Sequence, residues 1–150
     1  MPGDSLFLGP GQGETFSIGP VQVRLLSTAQ NTGDRSSVEE FTVPPAFEGP
    51  PVHAHERTDH SWYVVDGVAT FVTADRTIDV VAGGFLFIPA GVAHAFANRS
   101  SQPMRLLEFT TPGGFGAYLR DLSAAVGEDA MDPVAVLEVM DRHDTYSVDL

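Results

Sequence analysis

His53-Ala-His55-Glu-Arg-Thr-Asp-His60-Ser-Trp-Tyr-Val-Val-Asp-Gly67 is the stretch that decides how this chain is read. Residues two apart in a strand share a face, so His53 and His55 point the same way. His60 opens the next strand after a short turn, with Trp62 and Val64 on its own face. A second stretch, Gly83-Gly-Phe-Leu-Phe-Ile-Pro89-Ala-Gly91-Val-Ala-His94-Ala-Phe-Ala-Asn98, begins a later strand at His94, with Phe96 and Asn98 on its side. One pair of imidazoles and two single ones from other strands can converge on one ion. The expected ligands are therefore His53, His55, His60 and His94. Nitrogen ligation does not choose firmly among transition metals, so one divalent ion is expected: Fe, Mn, Ni, Co, Cu or Zn.

The rest of the chain suits such a site. At 150 residues, with 43% hydrophobic residues, it is one domain with enough chain to bury a core. It contains no cysteine, which excludes disulfides and thiolate ligands. The formal net charge is −12, and every base is arginine. Such a field repels phosphate backbones and anionic lipid, so neither nucleic acid nor a membrane is the expected partner. No signal peptide and no apolar run of spanning length can be read, and a cytoplasmic location is expected.

Short apolar runs separated by Gly, Pro and Ser punctuate residues 1–112. Ser5-Leu-Phe-Leu8 and Val21-Gln-Val-Arg-Leu-Leu26 read as edge strands, and Val38–Val43 as another, ended by Pro44-Pro45. Between Ser61 and Thr111, turns at Ala74-Asp-Arg, Ala82-Gly-Gly, Pro89-Ala-Gly and Ser100-Ser-Gln-Pro103 define further strands. Many short strands so spaced imply a closed or sandwiched antiparallel sheet over about residues 14–112. The period then changes. Phe115, Leu119, Leu122 and Val126 recur at helical spacing, and Asp132-Pro133 reads as an N-cap followed by Pro at the first helical position. Two helices over about residues 113–143 are expected to cover the barrel, with a dimer contact as the alternative use of their apolar stripe. His143, near the end of the second, suits the helix dipole and reads as structural.

The two histidine segments resemble the two motifs of the cupin superfamily. The first motif is His-x-His, three or four residues, Glu, six residues, Gly; here His53, His55 and Gly67 match, and His60 stands in the glutamate position. The second is Gly, five residues, Pro-x-Gly, two residues, His, three residues, Asn, and Gly83, Pro89, Gly91, His94 and Asn98 match throughout. A glycine usual at the position of Phe47 is missing, with Gly49-Pro-Pro instead. Asp59 offers a carboxylate if the register slips by one, but the count to Gly67 favours His60.

The resemblance covers roughly residues 36–112. It implies an all-β antiparallel cupin (jelly-roll) barrel with a short C-terminal α-helical cap, and by analogy a homodimer. It also implies a metal-dependent enzyme acting on a small hydrophobic oxygenated substrate, aromatic, enol or polyketide-like. A dioxygenase resembling the quercetinase-like cupins is the first expectation. A redox-neutral, zinc-type polyketide cyclase or isomerase is the alternative, and a non-catalytic ligand-binding cupin ranks last. A fourth imidazole in place of carboxylate leaves the ion its full charge, which strengthens it as a Lewis acid. Trp62, Val64, Phe96 and one face of Phe85–Ile88 are expected to wall the substrate pocket. Glu108 is a candidate general base, although an exposed carboxylate on the outer face is its ordinary reading.

Overall fold

The computed structural model describes residues 4–127 and 132–149. The chain opens with β1 (Glu14–Ile18), β2 (Val21–Ser27), a single helical turn α1 (Ala29–Thr32) and β3 (Ser37–Val43). It continues through β4 (His53–Ala54), β5 (Asp59–Asp66), β6 (Val68–Thr73), β7 (Thr77–Val81), β8 (Phe85–Ile88), β9 (His94–Ala97) and β10 (Met104–Thr111). The last elements are α2 (Phe115–Val126), α3 (Pro133–Asp141) and β11 (Tyr146–Ser147). The strands form two antiparallel sheets, ordered β1-β2-β3-β10-β5-β8 and β11-β4-β9-β6-β7. The architecture is thus a jelly roll of two facing sheets, not one continuous closed ladder. No helix among the described residues is long and apolar enough to cross a membrane.

Alternation builds the inner face. Val21, Val23 and Leu25 of β2 are buried in turn, as are Met104 and Leu106 of β10 and Trp62 and Val64 of β5. Because β10 lies between β3 and β5, their inward residues stack in three rungs. Phe41, Leu106 and Val64 form an apolar rung; Glu39, Glu108 and Trp62 form the next; Ser37, Thr110 and His60 form the third. The Ser37 and Thr110 hydroxyls hydrogen-bond to each other within that last rung. Polarity therefore rises along one sheet face toward His60.

The helices cover this core. Tyr118, Leu119, Leu122 and Val126 of α2, with Val136, Val139 and Met140 of α3, join the buried cluster. Asp132 caps α3 by accepting from the Val134 amide at 3.0 Å, ahead of Pro133 at the first turn. His143 lies just beyond α3, and its Nε2 is 2.7 Å from Asp121 Oδ2 of α2. It ties the two helices together instead of serving only the dipole of its own.

Two strand readings need correction. Ser5–Leu8 belongs to no strand, and Leu6 and Phe7 are exposed. The first strand is Glu14–Ile18, which pairs with β2 and places Ile18 in the core. The apolar triplet has no neighbouring strand and no face to bury. Conversely, β11 is too short to show periodicity, and it exists because β4 offers it an edge.

Candidate metal centre and cavity

His53 and His94 face each other across the β4–β9 pairing, and His55 follows two residues after His53. One ring nitrogen from each of His53, His55 and His94 can be chosen so that all three lie within 4.8 Å of one another. The Nδ1–H of His53 donates to the Pro51 carbonyl at 2.7 Å, and that of His94 donates to the Val92 carbonyl at 2.9 Å. His55 Nδ1 lies 3.1 Å from the Asp144 carbonyl and 2.9 Å from the Thr145 hydroxyl. Each ring thus uses Nδ1 for the protein and keeps the Nε2 lone pair for a ligand, as in metal-binding histidines. His55 Nε2 is buried without a partner, which is the orphaned atom that a cation would satisfy.

His60 sits beside this triad in a different attitude. Its ring stacks on His55, with centroids 4.3 Å apart and planes 25° apart, and on Trp62 at 5.3 Å. Both its nitrogens are buried without hydrogen-bond partners, and Nδ1 is 3.6 Å from Glu108 Oε2. The chain thus brings three of the four expected ligands into one group and lays the fourth ring against it. Asp59 is occupied elsewhere: its Oδ1 accepts from the Ala90 amide at 2.8 Å, bracing β5 against the turn before His94. A further brace joins the two histidine loops, where the Gly91 amide donates to the His55 carbonyl at 2.7 Å. Asn98 is structural; its amide donates to the carbonyls of Val43, Pro44 and Gln102.

Burial is the leading cause that holds these imidazoles neutral. It lowers His53, and pushes His55 down to about 2 and His60 and His94 to about 3, with repulsion among the rings adding to the last three. At neutral pH they are four neutral rings with lone pairs to give.

The triad and His60 line a cavity of about 80 Å³. One water needs only roughly 10–15 Å³ on the same measure, so there is room for part of a larger ligand. Its wall is overwhelmingly apolar: Ile18, Val21, Phe41, Phe47, Phe96, Leu119 and Leu122, closed by Phe115 and Tyr118. Of the expected pocket residues, Phe96 lines this space. Trp62 and Val64 do not; both are fully buried in the sheet core, Trp62 beneath His60 and Val64 one rung deeper. Phe85 and Phe87 face outward and only Ile88 of β8 is buried.

Glu108 overturns its ordinary reading as an outer-face carboxylate. It is 2% exposed and lines the cavity. Its Oε2 accepts from the Trp62 indole N–H, and Oε1 has no partner. Glu39, opposite it in the β3–β10 register, is fully buried with both oxygens unpartnered. Burial raises both carboxyls well above the ordinary range, and the Glu108 charge raises Glu39 further. Glu39, Phe115, Tyr118, Asp144 and Thr145 were not picked out as site residues from sequence. Glu39 shared the buried phase of Phe41 and Val43, and Phe115 stood on the apolar stripe of α2; Tyr118, Asp144 and Thr145 carried no such signal.

A family model described as a cupin domain matches residues 39–110. Residues 39–110 form a cupin domain. The cupin is 28% identical to the polyketide cyclase RemF from Streptomyces resistomycificus, with a TM-score of 0.63 over 72% of this chain and 80% of that one. It is 26% identical to quercetin 2,3-dioxygenase of Bacillus subtilis (strain 168) over 71% of this chain and 31% of that protein. It is also 31% identical to mannose-1-phosphate guanylyltransferase 2 of Escherichia coli O157:H7 over 58% of this chain and 17% of that one. The cupin therefore spans less than a third of either curated relative. Its relatives include enzymes of differing chemistry, and the cupin fold is common to them.

Proposed function

We propose that this cupin is a metal-dependent, redox-neutral cyclase acting on a small, flat, polyketide-like substrate. The observation that carries the reading is the makeup of the cavity. An apolar wall ends in imidazoles with Nε2 free, and the one carboxyl on the wall, Glu108, keeps Oε1 unpartnered. His53, His55 and His94 would hold a divalent ion, with His60 as the adjoining fourth imidazole. Such an ion supplies Lewis acidity toward a carbonyl or enol oxygen, undiminished by any carboxylate among those four residues.

The protein's own contribution follows from its residues. Phe41, Phe96, Phe115 and Leu119 bind the carbon skeleton and exclude water. Glu108 is placed to exchange a proton through Oε1, while Trp62 holds Oε2. Similarity to RemF over most of both chains supports cyclisation over oxygen chemistry. The match to quercetin 2,3-dioxygenase favours the second reading, a dioxygenase.

One experiment separates them. Metal-loaded protein is supplied with an aromatic poly-β-ketone under air and under argon, while product and dissolved oxygen are followed. Equal turnover under argon is expected. Turnover that stops under argon and consumes oxygen in air would replace the cyclase by the dioxygenase.

A further inference from the structure

The segment after α3 returns to the histidine loop and grips it at several points. The Asp144 carboxylate accepts from the backbone amides of Glu56 at 3.1 Å and Arg57 at 2.8 Å, and from the Thr58 hydroxyl at 2.9 Å. Two residues later, β11 pairs with β4, setting Tyr146 opposite Ala54 and Ser147 opposite His53. The Val148 amide then donates to the Val52 carbonyl at 2.9 Å.

This attachment reaches one imidazole in particular. His53 and His94 each take their Nδ1 partner from a carbonyl two residues earlier, so their own turns orient them. His55 takes its partners from Asp144 and Thr145, 89 and 90 residues away. Thr145 is buried, so its hydroxyl is shielded from competing water. The orientation of His55 therefore depends on the far end of the chain docking correctly.

We propose that Asp144 is a positioning residue of the metal centre. Its carboxylate holds residues 56–58, while its carbonyl and the Thr145 hydroxyl fix the His55 tautomer with the proton on Nδ1 and the lone pair on Nε2. The proposal rests on the reading of His53, His55 and His94 as ligands. Without the carboxylate, two amides and a hydroxyl lose their acceptor, and the loop that carries His55 loosens. Partners in this outer position commonly change metal affinity by about 10- to 100-fold when removed.

The test is a cobalt(II) titration of metal-free protein, read by visible absorption, for wild type, Asp144→Ala and Thr145→Val. Circular dichroism establishes that each is folded at the titration temperature. Nitrogen-15 NMR of the metal-free proteins reports the His55 tautomer, which a purely structural role would leave alone. Affinity about 10- to 100-fold weaker in both variants is expected, with the single tautomer of wild type replaced by a mixture. Folded variants with unchanged affinity and tautomer would overturn the proposal. If Asp144→Ala does not fold, Thr145→Val decides by the same two readouts. Wild-type protein that takes up no cobalt would instead remove the ligand reading itself.

Discussion

Glu108 shows how much one side chain gains from its rung. It faces Glu39 on one side and Trp62 on the other, and no cation is placed to neutralise either carboxyl among the contacts described. Two buried carboxylates side by side repel, so a proton is retained there. That makes Glu108, a residue of the cavity lining with Oε1 unpartnered, able to donate or accept a proton. Glu108→Gln keeps the size and the acceptor for Trp62 but removes the exchangeable proton. In metal-loaded protein it should lower kcat by about 10²- to 10⁴-fold, the usual contribution of a general acid or base. Metal content measured by mass spectrometry should stay at the wild-type level. Normal kcat in this variant would exclude Glu108 from proton transfer.

At the scale of elements, the helices do more than cap. The first turn of α2 brings Phe115 to within 4.7 Å of the His60 ring, edge to face, and Tyr118 closes the same cavity. The second helix bears on the site indirectly, since the chain leaving it carries Asp144 and β11 to the His53–Thr58 loop. Its N-terminus rests on the Asp132 cap. Asp132→Ala should cost about 1 kcal/mol of stability, read from the urea midpoint, because the Val134 amide loses its acceptor. An unchanged midpoint would show that water replaces the cap in full. Gly49, in the loop between β3 and β4, has a comparable local role where it packs against β9. With φ at +90°, its absent side chain leaves room for the Phe96 carbonyl, which an added Cβ would approach to 2.0 Å.

Taken as a whole, the molecule carries opposing sets of buried titratable groups, and these shape its pH response. The four cluster imidazoles have lowered values, so their stabilising neutrality is present above about 6.5 and lost as pH falls. Glu39 and Glu108 have raised values, so their contribution is present below 4.5 and lost as pH rises through about 8 and 9. Between 4.5 and 6.5 four imidazoles outweigh two carboxyls, and above that only the carboxyls act. Metal-free protein should therefore be most stable near pH 6.5 and weaken toward pH 9. Urea midpoints across pH measure this directly. Glu39→Gln should flatten the alkaline side, and an alkaline decline that persists unchanged would assign it to other groups.

Local patterns determined the broad outcome. Strand alternation, turn residues and the Asp132-Pro133 signal are properties of a few neighbouring residues, so a closed or sandwiched antiparallel sheet and both C-terminal helices could be read directly, and the cupin resemblance of the histidine motifs added the jelly roll. The same holds for His53 and His55, whose two-residue spacing places them on one face. Tertiary structure decided what no local period carries. At Glu108, polarity argued outward and the phase of Met104 and Leu106 argued inward; phase prevailed because β10 lies between two strands with its inner face covered. Trp62 and Val64 face inward but stand off the cavity wall, where Glu108 and Phe41 of the same rungs stand instead, since pairing between strands far apart in sequence decides which member of a rung meets the open space. The attitude of His60 and the grip of Asp144 on the His55 loop likewise depend on chain segments meeting after long separations. Periodicity tells a residue which face it takes, and only the assembled sheets tell it what stands opposite.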